Sequence, residues 1–91
     1  MRKNVFTIIV THNGERWIKD TIQSLFKSIY SCSIVVVDNG SSDKTLKILS
    51  EFKEIKLIEN QLNLGFGQAN NIGIKYSQKK KADYIFCLLY T

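Results

Sequence analysis

From Asp38 to Asp43 the chain reads Asp-Asn-Gly-Ser-Ser-Asp, which places two carboxylates, an amide and two hydroxyls on one short segment. Immediately before it, Ile34-Val35-Val36-Val37 is a run of β-branched apolar residues, the pattern of a strand buried on both faces. Gly40 permits the backbone angles of a tight turn, and Ser42 or Asp43 is suited to cap the helix that follows. Thr11-His12-Asn13 closes another apolar run, and Asn60, Asn63, Gly65 and Gly67 follow a third. Polar residues at strand ends are where open α/β sheets bind ligands. The Asp38 carboxylate and the Asn39 amide oxygen are acceptors suited to the N3–H of a pyrimidine base or to ribose hydroxyls. Backbone N–H groups around Gly65 and Gly67, beside a helix N-terminus, are suited to phosphate.

Each cluster also has a plainer reading. Asp38 can close the turn on its own backbone, and Asp43 can serve as a helix cap. Gly65-Phe66-Gly67 lacks the third glycine and the downstream acid of a dinucleotide fingerprint. His12 has no Cys, Ser or second His in its neighbourhood to suggest a metal or a catalytic triad, which leaves a structural or base-stacking role.

The elements that must position these residues follow from periodicity. Val5–Thr11 reads as the first strand. From Glu15 to about Ser28, Ile18, Ile22, Leu25, Phe26 and Ile29 recur at helical spacing, with Asn13 as the expected N-cap. Lys44 to Phe52 reads as a shorter helix with Leu46, Leu49 and Phe52 inward. Lys56-Leu57-Ile58-Glu59 is a more polar strand, suited to a sheet edge. A loop from Asn60 to Gly67 leads to a helix from about Gln68 to Gln78, with Ala69, Ile72, Gly73 and Tyr76 on one face. Tyr84–Leu89 is the last strand. The alternation β-α-β-α-β-α-β calls for an α/β fold: a Rossmann-like, three-layer open parallel sheet with right-handed crossovers. Its expected strand order is 3-2-1-4, with helices on both faces and a crevice where the order reverses.

The chain of 91 residues has room for one domain, and 44% apolar residues supply a core. The net charge of +5 includes one basic run, Lys79-Lys80-Lys81, without the interleaved aromatics of a nucleic-acid surface. Attraction to phosphorylated ligands or to an anionic membrane surface is compatible with this charge. Cys32 and Cys87 form no Cys-x-x-Cys pattern and read as buried free thiols. With no signal-peptide pattern and no bilayer-spanning run, a cytoplasmic protein is expected, with peripheral contact to the membrane's inner face as an option.

Three segments together resemble a known family. Val10-Thr11-His12-Asn13, Val36 to Thr45, and Asn63-Leu64-Gly65-Phe66-Gly67-Gln68-Ala69-Asn70-Asn71-Ile72-Gly73 are similar to family 2 glycosyltransferases of the GT-A fold, in particular the rhamnosyltransferase-like branch. The resemblance implies that Thr11, His12, Asn13, Asp38 and Asn39 bind the nucleoside of a UDP- or dTDP-sugar. It implies that Gly65 and Asn71 shape the wall near the sugar and diphosphate. It further implies transfer to a glycan or lipid-linked acceptor. In the family an Asp after the fourth strand binds Mg²⁺ or Mn²⁺, and here Tyr90 stands at that position. A phenol is a poor ligand for a hard divalent cation. The family's acceptor half and catalytic base have no counterpart in these residues, so the 91-residue chain is expected to be inactive alone, as the donor-binding part of a GT-A domain. The alternative is a non-catalytic remnant that binds nucleotide or self-associates. A flavodoxin- or receiver-like domain is disfavoured, because Thr11-His12-Asn13 does not supply a receiver's acidic pair. Without a helix to follow it, one face of Tyr84–Leu89 is expected to lie bare and to support a homo-oligomer.

Overall fold

The computed structural model describes residues 3–28 and 32–89. The order is β1 (Val5–Thr11), α1 (Ile18–Phe26), β2 (Ser33–Asn39), α2 (Thr45–Leu49), β3 (Lys56–Asn60), α3 (Gly65–Lys79) and β4 (Tyr84–Leu89). All strands pair in parallel in the order β3-β2-β1-β4, as the sequence predicts. β1 and β2 lie at the centre, which is why their apolar runs are unbroken: residues 6–11 and 34–39 are all buried.

The two sheet faces divide the core by the period of two. Phe6, Ile8, Val10, Val35 and Val37 pack with Ala69 of α3, joined by Ile74, Tyr76 and Ile85. Ile9, Ile34 and Val36 pack on the other face with Ile18 and Ile22 of α1 and Leu49 of α2. The expected arrangement of helices on both faces is therefore present, with α1 and α2 on one side and α3 on the other.

The registers set the strand ends side by side. Thr11 lies opposite Asp38, and Asn39 lies opposite Asn60. The polar residues of three strand–helix junctions thus share the carboxyl edge of the sheet.

Helix boundaries differ from the sequence expectation. α1 starts at Ile18, because residues 14–17 form a turn in which the Gly14 carbonyl accepts from the Trp17 and Ile18 N–H groups at 3.1 and 2.9 Å. Asn13 is left-handed at φ 53° and caps nothing in α1. α2 is a single short turn of helix, Thr45–Leu49. α3 begins earlier than expected, at Gly65, whose φ of 81° turns the chain into the helix. Ser77 is a core position that its polarity concealed: its hydroxyl donates to the Gly73 carbonyl at 2.9 Å within the helix, and so it is buried without loss. Cys32 is half-buried, but Cys87, expected to be buried, is exposed on the edge strand. The expected contributions of Ile29 to the first helix and of Tyr90 and Thr91 beyond β4 lie outside the described residues.

Candidate functional site

The junctions after β1 and β2 are joined through Ser41 and Asn13. The Asp38 side chain is 1% exposed. Its Oδ1 accepts from the Ser41 hydroxyl at 2.6 Å and its Oδ2 from the Ser41 N–H at 3.0 Å. Asp38 therefore closes its own turn, the plainer of its two readings. Each carboxylate oxygen retains a second acceptor position. The Ser41 hydroxyl accepts in turn from the Asn13 N–H at 2.8 Å. In the reverse direction, Asn13 Oδ1 accepts from the N–H groups of Ser42 at 2.8 Å and Asp43 at 3.3 Å. The residue expected to cap α1 instead ties down the approach to α2.

His12 and Asp43 add further ties. The half-buried imidazole of His12 meets the Asn39 carbonyl at 2.8 Å through Nδ1. A carbonyl only accepts, so the proton sits on Nδ1, and Nε2 accepts from the Asn13 amide at 3.3 Å. These two bonds tie the imidazole to the ends of β1 and β2. Asp43 accepts from the Thr45 N–H at 2.9 Å and the Thr45 hydroxyl at 2.5 Å, and from the Glu15 N–H at 3.3 Å. Partial burial acts to raise its pKa. The bonds from the Thr45 hydroxyl, the Thr45 and Glu15 N–H groups and its own N–H outweigh that, and hold the carboxylate below its ordinary value.

The β3–α3 junction meets the end of β2 at Asn39 and Gly40. Asn39, 2% exposed, is hydrogen-bonded to Asn60, Asn63, Leu64 and Gly65. Gly40, at φ 74°, passes so close to the loop that a Cβ there would lie 3.0 Å from the Leu62 carbonyl carbon and 3.1 Å from the Asn63 nitrogen. Asn63 Oδ1 also accepts from the Gly65 N–H at 2.9 Å. Beyond it the first turn of α3 is open: Gly67 is exposed, and no atom lies within 4 Å of where its Cβ would stand. That turn carries no acidic side chain, so the positive end of the helix dipole is uncompensated.

Thr11, His12, Asn13, Asp38, Asn39 and Gly65 are thus brought together along one edge. Asn71 is not. It is exposed on α3 and bonded to none of the three junctions. Its neighbour Asn70, quoted in the sequence pattern but given no role, has a buried Oδ1 without a hydrogen-bond partner, as does the Thr11 hydroxyl. Thr11 Oγ1 lies where a Cβ on Gly14 would come within 2.5 Å of it, which shows how closely the buried Gly14 is packed there. Ser41, the central link, was legible only as a serine three residues after an aspartate, the spacing of a side chain-closed turn.

The residues match the model for glycosyl transferase family 2 from 6 to 88. The chain belongs to that family. An uncharacterised glycosyltransferase of Haemophilus influenzae is 37% identical over 91 aligned residues, and the alignment covers 89% of this chain. The dTDP-rhamnosyl transferase RfbF of Shigella flexneri is 34% identical over 85 residues, covering 93% of the chain. In each case the chain spans 28% of the relative's length. Among solved structures, a mannosyltransferase from Pyrobaculum calidifontis in complex with GDP-Man and Mn²⁺ superposes with a TM-score of 0.76 at 24% identity. That match covers 84% of this chain and 25% of the mannosyltransferase. The shared fold is GT-A.

A hard divalent cation calls for carboxylate oxygens, which the described residues do not gather in one place. No three of their His, Cys, Asp or Glu side chains cluster as a metal site. Two carboxylates at the sheet edge, Asp38 and Asp43, accept hydrogen bonds from Ser41, Thr45 and Glu15, and Glu59, in register with Asp38, is exposed. Tyr90, at the position the resemblance gives to the ligand, lies outside the described residues.

Proposed function

We propose that this chain is the nucleotide-diphosphate-sugar-binding part of a glycosyltransferase, which in a longer protein moves a sugar from a UDP- or dTDP-sugar to a glycan or lipid-linked acceptor. The observation that carries the reading is the fusion of three strand-end junctions into one hydrogen-bonded edge beside the open N-terminus of α3. In this reading Thr11, His12, Asn13 and Asp38 form the nucleoside end, and Asp38 offers its remaining acceptor positions to a base N–H or a ribose hydroxyl. Gly65 leads into the diphosphate end, the first turn of α3, where the N–H groups beyond Gly65 and the helix dipole favour an anion. Asn71 flanks that turn.

The chain's own residues are assigned binding rather than bond-making. Sugar transfer needs a base to take the acceptor's proton and an electrophile for the departing diphosphate. Asp38 and Asp43 close the turns that lead into α2, and we assign the base and the electrophile to the remainder of the longer protein. No helix among the described residues is long and apolar enough to cross a membrane. We place the protein in the cytoplasm, with its +5 charge available for contact with the anionic inner face of a membrane.

Calorimetric titration with UDP and dTDP, each with and without Mn²⁺, tests the reading. Saturable binding of one nucleotide is expected, with Asp38→Ala weakening it at least tenfold, on the order of one lost charged hydrogen bond. If neither nucleotide binds, the second reading takes its place: a folded, non-catalytic module that associates with itself. That reading draws on the bare aromatic face of β4, where Tyr84 and Phe86 are 55% and 58% exposed.

A further inference from the structure

We infer that the lysines gathered around Tyr76, at the amino-terminal edge of the sheet, form the surface by which this protein meets an anionic lipid bilayer. The inference rests on the cytoplasmic placement proposed above and gives the membrane contact a location. It does not depend on nucleotide binding.

The strands are parallel, so their starts share the edge opposite the candidate donor site. There a cavity of about 460 Å³ lies between the starts of β1, β2 and β3 and the end of α3. Phe6, Ile34 and Val35, all buried, supply its apolar lining. Lys56, the first residue of β3, and Lys80, which ends α3, also line it. Both ammonium groups sit over the Tyr76 ring, Lys56 Nζ at 5.5 Å and Lys80 Nζ at 5.8 Å from its centroid. Lys75 and Lys79, one turn apart and exposed, run along the neighbouring stripe of α3. From Gly65 to Lys81 the chain carries lysines at 75, 79, 80 and 81 and no acid.

These charges are held without being cancelled. A paired carboxylate neutralises a lysine, whereas a π face fixes an ammonium and leaves its charge whole. Glu54, the acid that lines the cavity, makes no ion pair with either lysine. Compensation of the α3 dipole accounts for a cation in the last turn, Lys79. It does not account for Lys56, which a different element brings against the same ring as Lys80, where the two like charges repel. An external anion relieves that repulsion.

The form of the patch selects the partner. A single phosphate group would have to sit against the carbonyl end of α3, which disfavours it. A nucleic acid calls for open aromatic faces on which bases stack, and the Tyr76 ring is half-buried and overlaid by lysines. Lysines spread over a strand start and two stripes of a helix match a plane of anionic headgroups, which attracts each of them without demanding a fixed geometry. With a bilayer at this edge, the carboxyl edge of the sheet faces solution, from which a soluble donor arrives.

The experiment is co-sedimentation of the chain with vesicles of phosphatidylcholine and of an equal mixture of phosphatidylcholine and phosphatidylglycerol, at low and at high salt. Lys56→Gln/Lys80→Gln is compared with Lys19→Gln/Lys47→Gln, which removes the same charge from α1 and α2 on the other face. Expected are binding to the anionic vesicles alone and its loss at high salt. The first variant should bind about thirtyfold more weakly, about fivefold per lysine, and the control within about threefold of wild type. Urea midpoints check that both variants fold. Should loss of the Tyr76 contacts unfold the first, Lys75→Gln/Lys79→Gln, altered only at exposed side chains, is expected to weaken binding by a similar factor. Equal weakening in patch and control variants would assign the effect to net charge and overturn the inference. Binding to neutral vesicles, no binding to either kind, or tighter binding of a single-stranded RNA oligonucleotide through the same lysines would overturn it as well. Calorimetric titration with UDP and dTDP should not distinguish the lysine variants from wild type, so a failure of the donor-binding reading and a failure of the membrane contact are read separately.

Discussion

Asp43 is ionised more readily in the folded protein than in the unfolded chain, because the bonds from Thr45 and Glu15 exceed the opposing effect of partial burial. A depressed folded pKa stabilises the fold above the unfolded value of about 3.9. That stabilisation is lost as pH falls through the lower folded value. Asp43→Asn should therefore be less stable than wild type at neutral pH, with the gap closing as the solution is acidified below the unfolded value. Urea unfolding midpoints of both proteins across the acid range check this, and a gap independent of pH would count against it. The same residue marks the limit of reading single side chains from sequence. Asp43 was recognisable as a cap because an acid preceding a helical run binds free N–H groups. Asn13 met the same criterion and does something else. Its left-handed backbone turns it toward Ser42 and Asp43, 29 and 30 positions away. No local pattern encodes a partner at that distance.

At the scale of elements, strands were the most legible part of the chain. Runs of apolar and β-branched residues at 5–11 and 34–37 leave few alternatives to buried parallel strands, and the polar Lys56–Glu59 segment is suited to an edge. Helix starts were less so. Gly65 and Gly67 are poor helix formers, so the sequence sets the start of α3 at Gln68, whereas tertiary contacts carry the helix back to Gly65. Gly73 was read as part of the inward face, and the structure gives the reason. A Cβ there would lie 2.6 Å from Ile8 Cγ2 and 3.3 Å from both Ile8 Cδ1 and Val37 Cγ2. α3 thus approaches the centre of the sheet as closely as a helix without a side chain permits. Gly73→Ala gains about 1 kcal/mol in helix propensity. Against this, overpacking a rigid core costs about 1–3 kcal/mol, and at 2.6 Å the upper part of that range applies. A net loss of about 1–2 kcal/mol in urea unfolding is expected, whereas a more stable variant would mean that α3 shifts freely over β1.

The whole molecule is covered unevenly, and its topology explains why. Right-handed crossovers from β1 to β2 and from β2 to β3 put α1 and α2 on one face, and the return from β3 to β4 puts α3 on the other. Among the described residues, no helix follows β4 to cover its α1 side. There Tyr84, Phe86 and Leu88 line a groove of about 610 Å³ with Val5, Thr7 and Leu25. β4 is also a sheet edge, with no charge or proline from Tyr84 to Leu89 to discourage pairing. We propose a second copy of this chain as the occupant, through antiparallel β4–β4 pairing about a two-fold axis, which sets the two aromatic rows side by side. The half-exposed rings of Tyr84 and Phe86 contribute roughly 200 Å² per copy, about a quarter of what a stable interface buries on each side, so the backbone ladder must accompany them. Light scattering at micromolar concentration should give a dimer mass for wild type. Phe86→Lys should give a monomer that keeps its fold, because this ring is more than half exposed and adds little to the core. A monomeric wild type at that concentration would rule out the pairing, and a dimer that survives Phe86→Lys would place the interface elsewhere.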